Sequence, residues 1–195
     1  MACVRYALFG YMVKRFVAVG VACGLAGSAV GANLALLADS TALMVFMLAA
    51  LPPVAVLVFR AKDLNRFSEH PLWPRRALLA TGAIALAVGV YDGFYGPGTG
   101  TILMLLLTAL GRQDVKCAAG TTKAINLATN AAALTVFLAN GQVLVGLGLA
   151  AAAFNIAGNW LGSTFFDKKG ALILRPIMLL VMVLFAGKLL ADLFV

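Results

Sequence analysis

Charged residues, histidine and cysteine are all scarce in this sequence. Only 11% of the 195 residues are charged, there is one histidine, His70, and the three cysteines Cys3, Cys23 and Cys117 show no paired spacing. These shortages argue against a disulfide framework, a metal-ligand cluster and a histidine-based catalytic centre. The sequence also lacks a Walker motif, so it has no recognisable site for ATP hydrolysis. We therefore expect a protein that is not an enzyme and that uses no cofactor or metal.

Hydrophobic residues take the place of the missing charges. They make up 63% of the chain, and the mean hydropathy of +1.01 is far above that of a soluble domain. The sequence predicts an all-α, polytopic transmembrane helix bundle that forms a single domain over residues 1–195 and lies in a lipid bilayer. Pro52 and Pro53 should kink the second segment. About seven apolar segments are expected, at residues 16–38, 41–59, 77–91, 94–110, 118–139, 143–166 and 177–195.

The net charge of +8 comes from basic residues that lie between the apolar segments. Every second loop contains Lys or Arg, and the alternate loops contain neither. This pattern predicts membrane topology rather than nucleic-acid binding, with the basic loops and the N-terminus on the cytoplasmic side of the cell membrane, the inner or plasma membrane. The pattern holds only if residues 77–111 form two segments or a re-entrant pair. The basic residues that define these loops are Lys14, Arg15, five residues within 60–76, Arg112, Lys116, Lys168, Lys169 and Arg175.

A glycine- and proline-rich stretch interrupts the apolar region between the third and fourth segments. It has the sequence Val-Tyr-Asp-Gly-Phe-Tyr-Gly-Pro-Gly-Thr-Gly-Thr over residues 90–101. Because proline cannot donate to a helix and glycine adopts positive φ, one helix should stop near Asp92 and another should start near Thr99. Non-helical backbone at membrane depth requires protein or a water-filled cavity around it. Such broken helices are typical of substrate sites in secondary transporters.

Residues at the two ends of the chain show a weak internal similarity. Gly27 and Gly31 of the first span align with Gly158 and Gly162 of the sixth, and both pairs form a face that favours close helix packing. Chance similarity among small residues is the alternative. In the predicted topology the two copies run in opposite directions, as in transporters with inverted repeats. Residues 1–60 would then be the tail of a truncated first repeat, 61–76 a cytoplasmic loop and 77–195 a complete second repeat.

The long motif at 91–101 resembles that of the sulfite exporter TauE/SafE family of anion permeases. The resemblance continues through residues 120–126 (Gly-Thr-Thr-Lys-Ala-Ile-Asn), Asn130, the pair Asn140–Gly141 and the span that contains Asn155, and it covers most of the chain. It implies a membrane transporter for sulfite, sulfonates or similar anions. The related glycine-rich motif that the family has in its first repeat is absent here. The resemblance therefore places half of the expected translocation site outside this sequence.

The break contains the first candidate binding residues. A helix that begins at Gly98, Thr99, Gly100 and Thr101 would direct unpaired N–H groups and a partial positive charge into the broken region, with Gly96 beside it. Glycine allows an anion to approach the backbone, and threonine hydroxyls add donors. The alternative is that the glycines serve helix packing and that Thr99 is an N-cap.

The fifth segment contains the second group of candidates. Lys123, Asn126 and Asn130 share one helix face, and Thr121 and Thr122 lie on or near it. Polar groups in a membrane helix usually face the bundle interior or a cavity, so this face could line the anion path. Alternatively, Lys123 extends to the membrane interface, and the asparagines make structural hydrogen bonds between helices.

Asp92 is the candidate for ion coupling. A carboxylate at a broken membrane helix could relay a proton or cation and so link transport to a gradient. It could instead cap the glycine turn or face the outer water.

These observations together predict a permease that moves small anions by alternating access. Two alternatives remain at this stage: a truncated, non-transporting membrane protein or assembly subunit, and a passive anion channel. The expected partners are the bilayer and a small anion, with no nucleic acid. Pairing of two copies in a homo-oligomer would supply a missing repeat.

Overall fold

Five helices make up most of the part of the chain that the structure describes. The computed structural model describes residues 12–39, 41, 43–46, 48–50, 52, 74–169 and 187, and no strand occurs among them. The chain is thus all-helical in these ranges, as the composition predicts. The helices are α1 (Lys14–Leu37), α2 (Pro74–Phe94), α3 (Thr99–Ala109), α4 (Val115–Ala139) and α5 (Val145–Lys169).

Four of the predicted segments agree with the observed helices to within a few residues. α2 begins at Pro74 and ends at Phe94, so it extends past both predicted limits. α3 has only 11 residues and begins at Thr99, not at residue 94. At about 1.5 Å per residue α3 is about 16 Å long, too short to cross a bilayer alone. Residues 41, 43–46, 48–50, 52 and 187 are helical, whereas the kink at Pro52–Pro53 and most of the second and seventh segments lie outside the described residues.

Small residues bring α1 and α2 into direct backbone contact. A Cβ atom built on Gly31 would lie 2.0 Å from the carbonyl oxygen of Val90, and one on Gly27 would lie 2.3 Å from that of Leu86. From the other side, a Cβ on Gly93 would lie 2.0 Å from the carbonyl oxygen of Ser28. No side chain larger than hydrogen fits at these positions without moving a helix. The prediction that Gly27 and Gly31 form a close-packing face is therefore confirmed.

α1, α2 and α4 run parallel to one another. The start of α1 contacts the starts of α2 and α4 through Gly20, which lies against Thr81 and Ile125. Further along α1, Ser28 contacts Gly93 of α2 and donates a hydrogen bond to the carbonyl oxygen of Thr129 on α4, at 2.6 Å. The helix starts consequently lie at one end of the bundle and bring Lys14, Arg15, Arg75, Arg76 and Lys116 together there.

α3 packs antiparallel to α4 and completes the described core. Leu103 and Leu107 of α3 are fully buried with Ile125 of α4 and the α2 residues Ala85 and Val88. Beyond α3, the buried side chain of Gln113 donates to the hydroxyl of Thr81 at 2.8 Å, which ties the α3–α4 connection to α2. The start of α3 therefore lies inside the bundle. The last residues of α3 lie near the end of the bundle where the basic residues gather.

The outer faces of the bundle are apolar. Along α5, every side chain from 145 to 158 is exposed, including Phe154 and Ile156, and nothing described lies within 4 Å of a Cβ built on Gly158. By length and composition, two described helices are able to cross a membrane, Lys14–Leu37 and Arg75–Phe94, and the apolar helices Thr99–Ala109 and Val145–Gly158 are shorter. Exposed apolar faces on an all-helical bundle fit a protein whose solvent is lipid.

Candidate functional site

The chain reverses between α2 and α3 through two glycines with left-handed backbone. Gly96 has φ +88° and Gly98 has φ +81°, a region that other residues adopt at a cost. The carbonyl oxygen of Tyr91 accepts from the backbone N–H groups of Tyr95 and Gly96, which closes α2. The Tyr91 hydroxyl donates to the carbonyl oxygen of Pro97 at 2.7 Å. The predicted break is thus present, and α2 ends at Phe94, two residues after Asp92.

The break lies within the length of the bundle. Phe94, the last residue of α2, packs at the level of Gly31, and α1 continues for six residues to Leu37. On the other side, the start of α3 lies beside Asn126, about half-way along the 25 residues of α4. A Cβ built on Gly100 would lie 3.5 Å from the amide nitrogen of Asn126. The non-helical backbone is therefore covered by α1 and α4, as a membrane interior requires.

The start of α3 has the donors that the sequence predicts there. Gly98 is the N-cap and makes no side-chain cap, while the N–H groups of Thr101 and Ile102 bond to its carbonyl oxygen. Among the described residues, the N–H groups of Gly98 and Gly100 have no backbone acceptor. Gly100 faces α4 with no side chain of its own. The α3 backbone at Gly100 therefore lies in contact with the Asn126 side chain.

Thr99 is not the N-cap that the alternative interpretation assumed. It is the first residue of α3, and its hydroxyl lies 2.5 Å from the carbonyl oxygen of Gly96 and 2.6 Å from Oδ1 of Asp92. Asp92 contacts this hydroxyl rather than capping backbone N–H groups. The contact between Asp92 and Thr99 thus links the end of α2 to the start of α3. The Thr99 hydroxyl is engaged in this contact and is not free to bind a ligand.

Three buried polar atoms on α4 lack a well-formed hydrogen bond among the described residues: Thr121 Oγ1, Thr122 Oγ1 and Asn126 Oδ1. Thr121 lies beside the thiol of Cys117, a weak hydrogen-bonding partner. Thr121 and Thr122 are 0% and 3% exposed.

Other helical threonines in this protein behave differently. Thr81, Thr108 and Thr135 each donate to the carbonyl oxygen four residues earlier, and Thr129 donates to that of Asn126. Buried polar atoms without a partner are rare in native proteins, and a bound ligand, ion or water is one explanation.

Two of the predicted α4 residues face away from the core of the described bundle. Lys123 and Asn130 are exposed, and the Asn130 amide donates to the carbonyl oxygen of Asn126 within the same helix, at 2.6 Å. Asn126 is partly buried and lies between them on the same face. The structure therefore brings Asn126 to the break and leaves Lys123 and Asn130 along the outer side of α4.

Sequence reasoning missed an aromatic cluster that covers the break. The ring of Phe46 packs edge-on against Phe94 and Tyr95, with centroid distances of 4.7 and 6.0 Å, and Tyr91 and Tyr95 form a similar pair at 5.9 Å. Tyr91, Phe94 and Tyr95 belong to the motif itself, so their spacing could have indicated the cluster. Phe46 has no signal of this kind, because only packing brings its segment to the break.

Apolar outward faces and a discontinuous helix pair enclosed by α1 and α4 define a helical membrane protein with a broken-helix site. Its sequence similarity to known proteins identifies the family. The chain belongs to the sulfite exporter TauE/SafE family, whose profile matches residues 1–189. The family confirms the resemblance seen in the glycine-rich motif, and it indicates a transporter rather than an enzyme.

The similar proteins carry transporter names. The chain is 32% identical over 168 residues to the probable membrane transporter protein ORF9 of a Sinorhizobium species, and this covers 86% of the chain and 63% of that protein. It is 34% identical over 105 residues to a probable membrane transporter protein of Haemophilus influenzae, covering 54% of the chain and 41% of the relative. The probable membrane transporter protein YfcA of Escherichia coli is 31% identical over 116 residues, 60% of the chain and 42% of the relative. No solved structure matches.

Proposed function

We propose that this protein is a permease that carries a small oxyanion, such as sulfite or a sulfonate, across the cell membrane by alternating access. The observation that supports this proposal most strongly is the pairing of the α3 start with unpartnered buried polar atoms on α4. Gly98 and Gly100 present backbone N–H groups, and Asn126 lies against Gly100. Thr122 lies one turn before Asn126 on the same side of α4.

The chemistry of these groups suits an oxyanion. The helix-start N–H groups, the Thr122 hydroxyl and the side-chain N–H groups of Asn126 can all donate hydrogen bonds, whereas Asn126 Oδ1 can only accept. The partial positive charge of the helix start adds attraction. No cofactor or metal is required for such binding. Lys123 would contribute long-range attraction from the outer side of α4, whereas Asn130 and Thr101 would line the approach.

The membrane orientation supports the same proposal. The parallel helices α1, α2 and α4 collect their basic residues at one end of the bundle. By the positive-inside rule this end is cytoplasmic, so the N-terminus is inside and the broken region lies in the outer half of the membrane. Transport by this chain, which spans 63% of the Sinorhizobium relative, is part of the proposal. Pairing of two copies also stays a prediction.

The test is sulfite flux into proteoliposomes that contain this 195-residue chain. We expect saturable flux that a gradient can drive uphill, which a passive channel cannot do. Gly98→Val should abolish it, because valine at φ +81° is strained and its side chain would cover the helix start.

The matched control is Gly141→Val. Gly141 also has positive φ, +68°, but lies in the α4–α5 turn with nothing within 4 Å of a built Cβ. This control should retain flux even though it introduces the same kind of backbone strain. A folded Gly98→Val protein with wild-type flux would reject the helix-start site. Flux that never saturates and never runs uphill would favour a channel.

A further inference from the structure

Basic side chains gather at the end of the bundle where α1, α2 and α4 begin, which we call the basic end. Gly20 of α1 lies against Thr81 of α2, and these two helices run parallel. Lys14 and Arg75 each precede this contact by six residues, so at about 1.5 Å per residue both lie about 9 Å beyond it. The contact therefore holds four exposed cations at one level of the bundle: Lys14, Arg15, Arg75 and Arg76.

The connection between α3 and α4 brings further basic residues to the same end. The hydrogen bond from Gln113 to Thr81 fixes this connection against α2, and the exposed Arg112 directly precedes Gln113. Lys116 follows in the first turn of α4. Asp114 is the one acid in this connection and in the first turns of α1, α2 and α4, and its carboxylate accepts from the backbone N–H of Lys116. Basic side chains thus far outnumber acidic ones in the described part of the basic end.

The four cations on α1 and α2 lie where the helix dipole disfavours them. A helix start has a partial positive charge, so its first turn favours acidic side chains. The first turns of α1 and α2 contain no acid, and the N-cap residue of α1 makes no side-chain hydrogen bond to the N–H groups there. No described residue forms an ion pair with these cations. The positive charges of the side chains and of the helix starts therefore add up, and an anion from outside the described bundle would neutralise them.

An apolar stripe continues from these cations along α2. Arg76, Leu79, Ala83 and Leu86 follow the spacing of one helix face, and all four are exposed, Leu79 to 75%. Because α2 is long and apolar enough to cross a membrane, this face meets the acyl chains of the bilayer. A soluble anion would use only the cations. A phospholipid with an anionic headgroup matches both parts, because its phosphate suits the cations and its chains suit the stripe.

We propose that the basic end is a docking site for the headgroup of an anionic phospholipid. Arg75 and Arg76 of α2 hold the phosphate, and Lys14 and Arg15 of α1 add charge from the neighbouring helix. A guanidinium group donates several hydrogen bonds in one plane and so matches phosphate oxygens, whereas an ammonium group acts as a point charge. Each basic residue near a membrane surface adds about fivefold to the attraction for anionic lipid. This site is separate from the α3 start and does not depend on transport.

The test measures lipid selectivity by electron paramagnetic resonance. The purified protein is reconstituted into phosphatidylcholine vesicles that contain a small fraction of spin-labelled phosphatidylglycerol or, in parallel, spin-labelled phosphatidylcholine. The spectrum separates label that is held at the protein surface from label that moves freely in the bilayer. We expect the wild-type protein to hold phosphatidylglycerol severalfold more strongly than phosphatidylcholine. High salt should weaken this preference, because salt screens exposed charges.

Variants of the two α2 arginines connect the preference to the proposed site. Arg75→Gln combined with Arg76→Gln should remove most of it, because both guanidinium groups are lost while polar side chains remain. Arg75→Lys combined with Arg76→Lys keeps the charges and should retain most of it. Lys123→Gln is the control for Arg76→Gln alone, because it removes one exposed cation from α4 away from the basic end. It should keep the wild-type preference, whereas Arg76→Gln should reduce it.

Two results would overturn the proposal. One is a wild-type protein that holds both labelled lipids equally, and the other is a double glutamine variant with the wild-type preference. Either result would leave these cations as topology signals only.

A further arm separates a lipid headgroup from a soluble anion. Inorganic phosphate, at a concentration too low to screen charges, should leave the preference unchanged. Loss of the preference under this condition would assign the cations to a soluble anion and reject the lipid site. No transported anion is present in these measurements. Failure of the lipid test would therefore leave the proposed transport intact, and absence of sulfite flux would leave the lipid site intact.

Discussion

Replacing the glycines of α1 one at a time should reveal how closely its backbone approaches α2. In Gly31→Ala the new Cβ would lie 2.0 Å from the Val90 carbonyl oxygen, and in Gly27→Ala it would lie 2.3 Å from that of Leu86. Even the weak contacts between carbon and carbonyl oxygen keep about 3.3–3.6 Å, so α1 and α2 must separate by more than 1 Å. In Gly20→Ala the nearest atom, at 2.7 Å, is instead the end of the Ile125 side chain, which can rotate away.

The expected free energies follow from these distances. Overpacking a well-packed interior costs about 1–3 kcal/mol, and a clash with backbone belongs at the upper end of that range. Alanine also gains about 1 kcal/mol over glycine in a helix. Gly31→Ala should therefore lower the free energy of unfolding by about 2 kcal/mol, with Gly27→Ala close behind and Gly20→Ala near neutral.

Gly158→Ala is the matched control, because nothing described lies within 4 Å of its built Cβ. It should be neutral or more stable by up to about 1 kcal/mol. Reversible unfolding in mixed detergent micelles measures all four variants on one scale. If Gly31→Ala proved as stable as Gly158→Ala, the close α1–α2 contact described here would be wrong.

Three further changes test other contacts. Ser28→Ala removes the buried hydrogen bond to the Thr129 carbonyl oxygen and should cost about 1 kcal/mol in the same unfolding assay, whereas no loss would contradict that bond. Gln113→Ala removes a buried amide that bonds to Thr81 and should cost about 1–3 kcal/mol, with the exposed Gln142→Ala as its control. Lys123→Ala should raise the sulfonate concentration for half-maximal flux severalfold, and the effect should be smaller at high salt because salt screens the charge. Lys123→Arg keeps the charge and should change this concentration little. An unchanged concentration in Lys123→Ala would show that Lys123 serves only the membrane interface.

Composition and the positions of glycine and proline gave most of the helix architecture in advance. α1 and α4 agree with the predicted spans to within three residues at either end. The apolar segment 94–110 begins five residues before α3, whereas the glycine-rich motif predicted a helix start near Thr99, where α3 does begin. The reason is local: Gly96 and Gly98 both adopt positive φ, so no helix can form until Gly98 has been passed. Hydropathy cannot detect this, because Phe94 and Tyr95 are as apolar as the helices around them.

The candidate site could be anticipated only in part. The motif indicated the α3 start, and the helical period indicated that Lys123, Asn126 and Asn130 share a face. The period could not show that Asn126 alone would meet Gly100, since that contact depends on where α3 packs along α4. Nor could it distinguish Thr122, which is buried without a partner, from Thr129, which bonds within its helix.

Residue composition and order alone specify that this chain forms apolar helices, where those helices are interrupted and at which ends the basic residues gather. These properties depend on the free energy of side-chain transfer from water to lipid and on the backbone conformations open to glycine and proline. Both are properties of single residues and add up along the chain. Helix packing, in contrast, sets which break in the helices is enclosed and which polar groups meet at that break. Only the approach of α1 to α2 through hydrogen-sized side chains places the break inside the bundle, and only the reversal at Gly96–Gly98 brings Asp92 to Thr99. Such contacts depend on the relative positions of several helices, and no single segment specifies them.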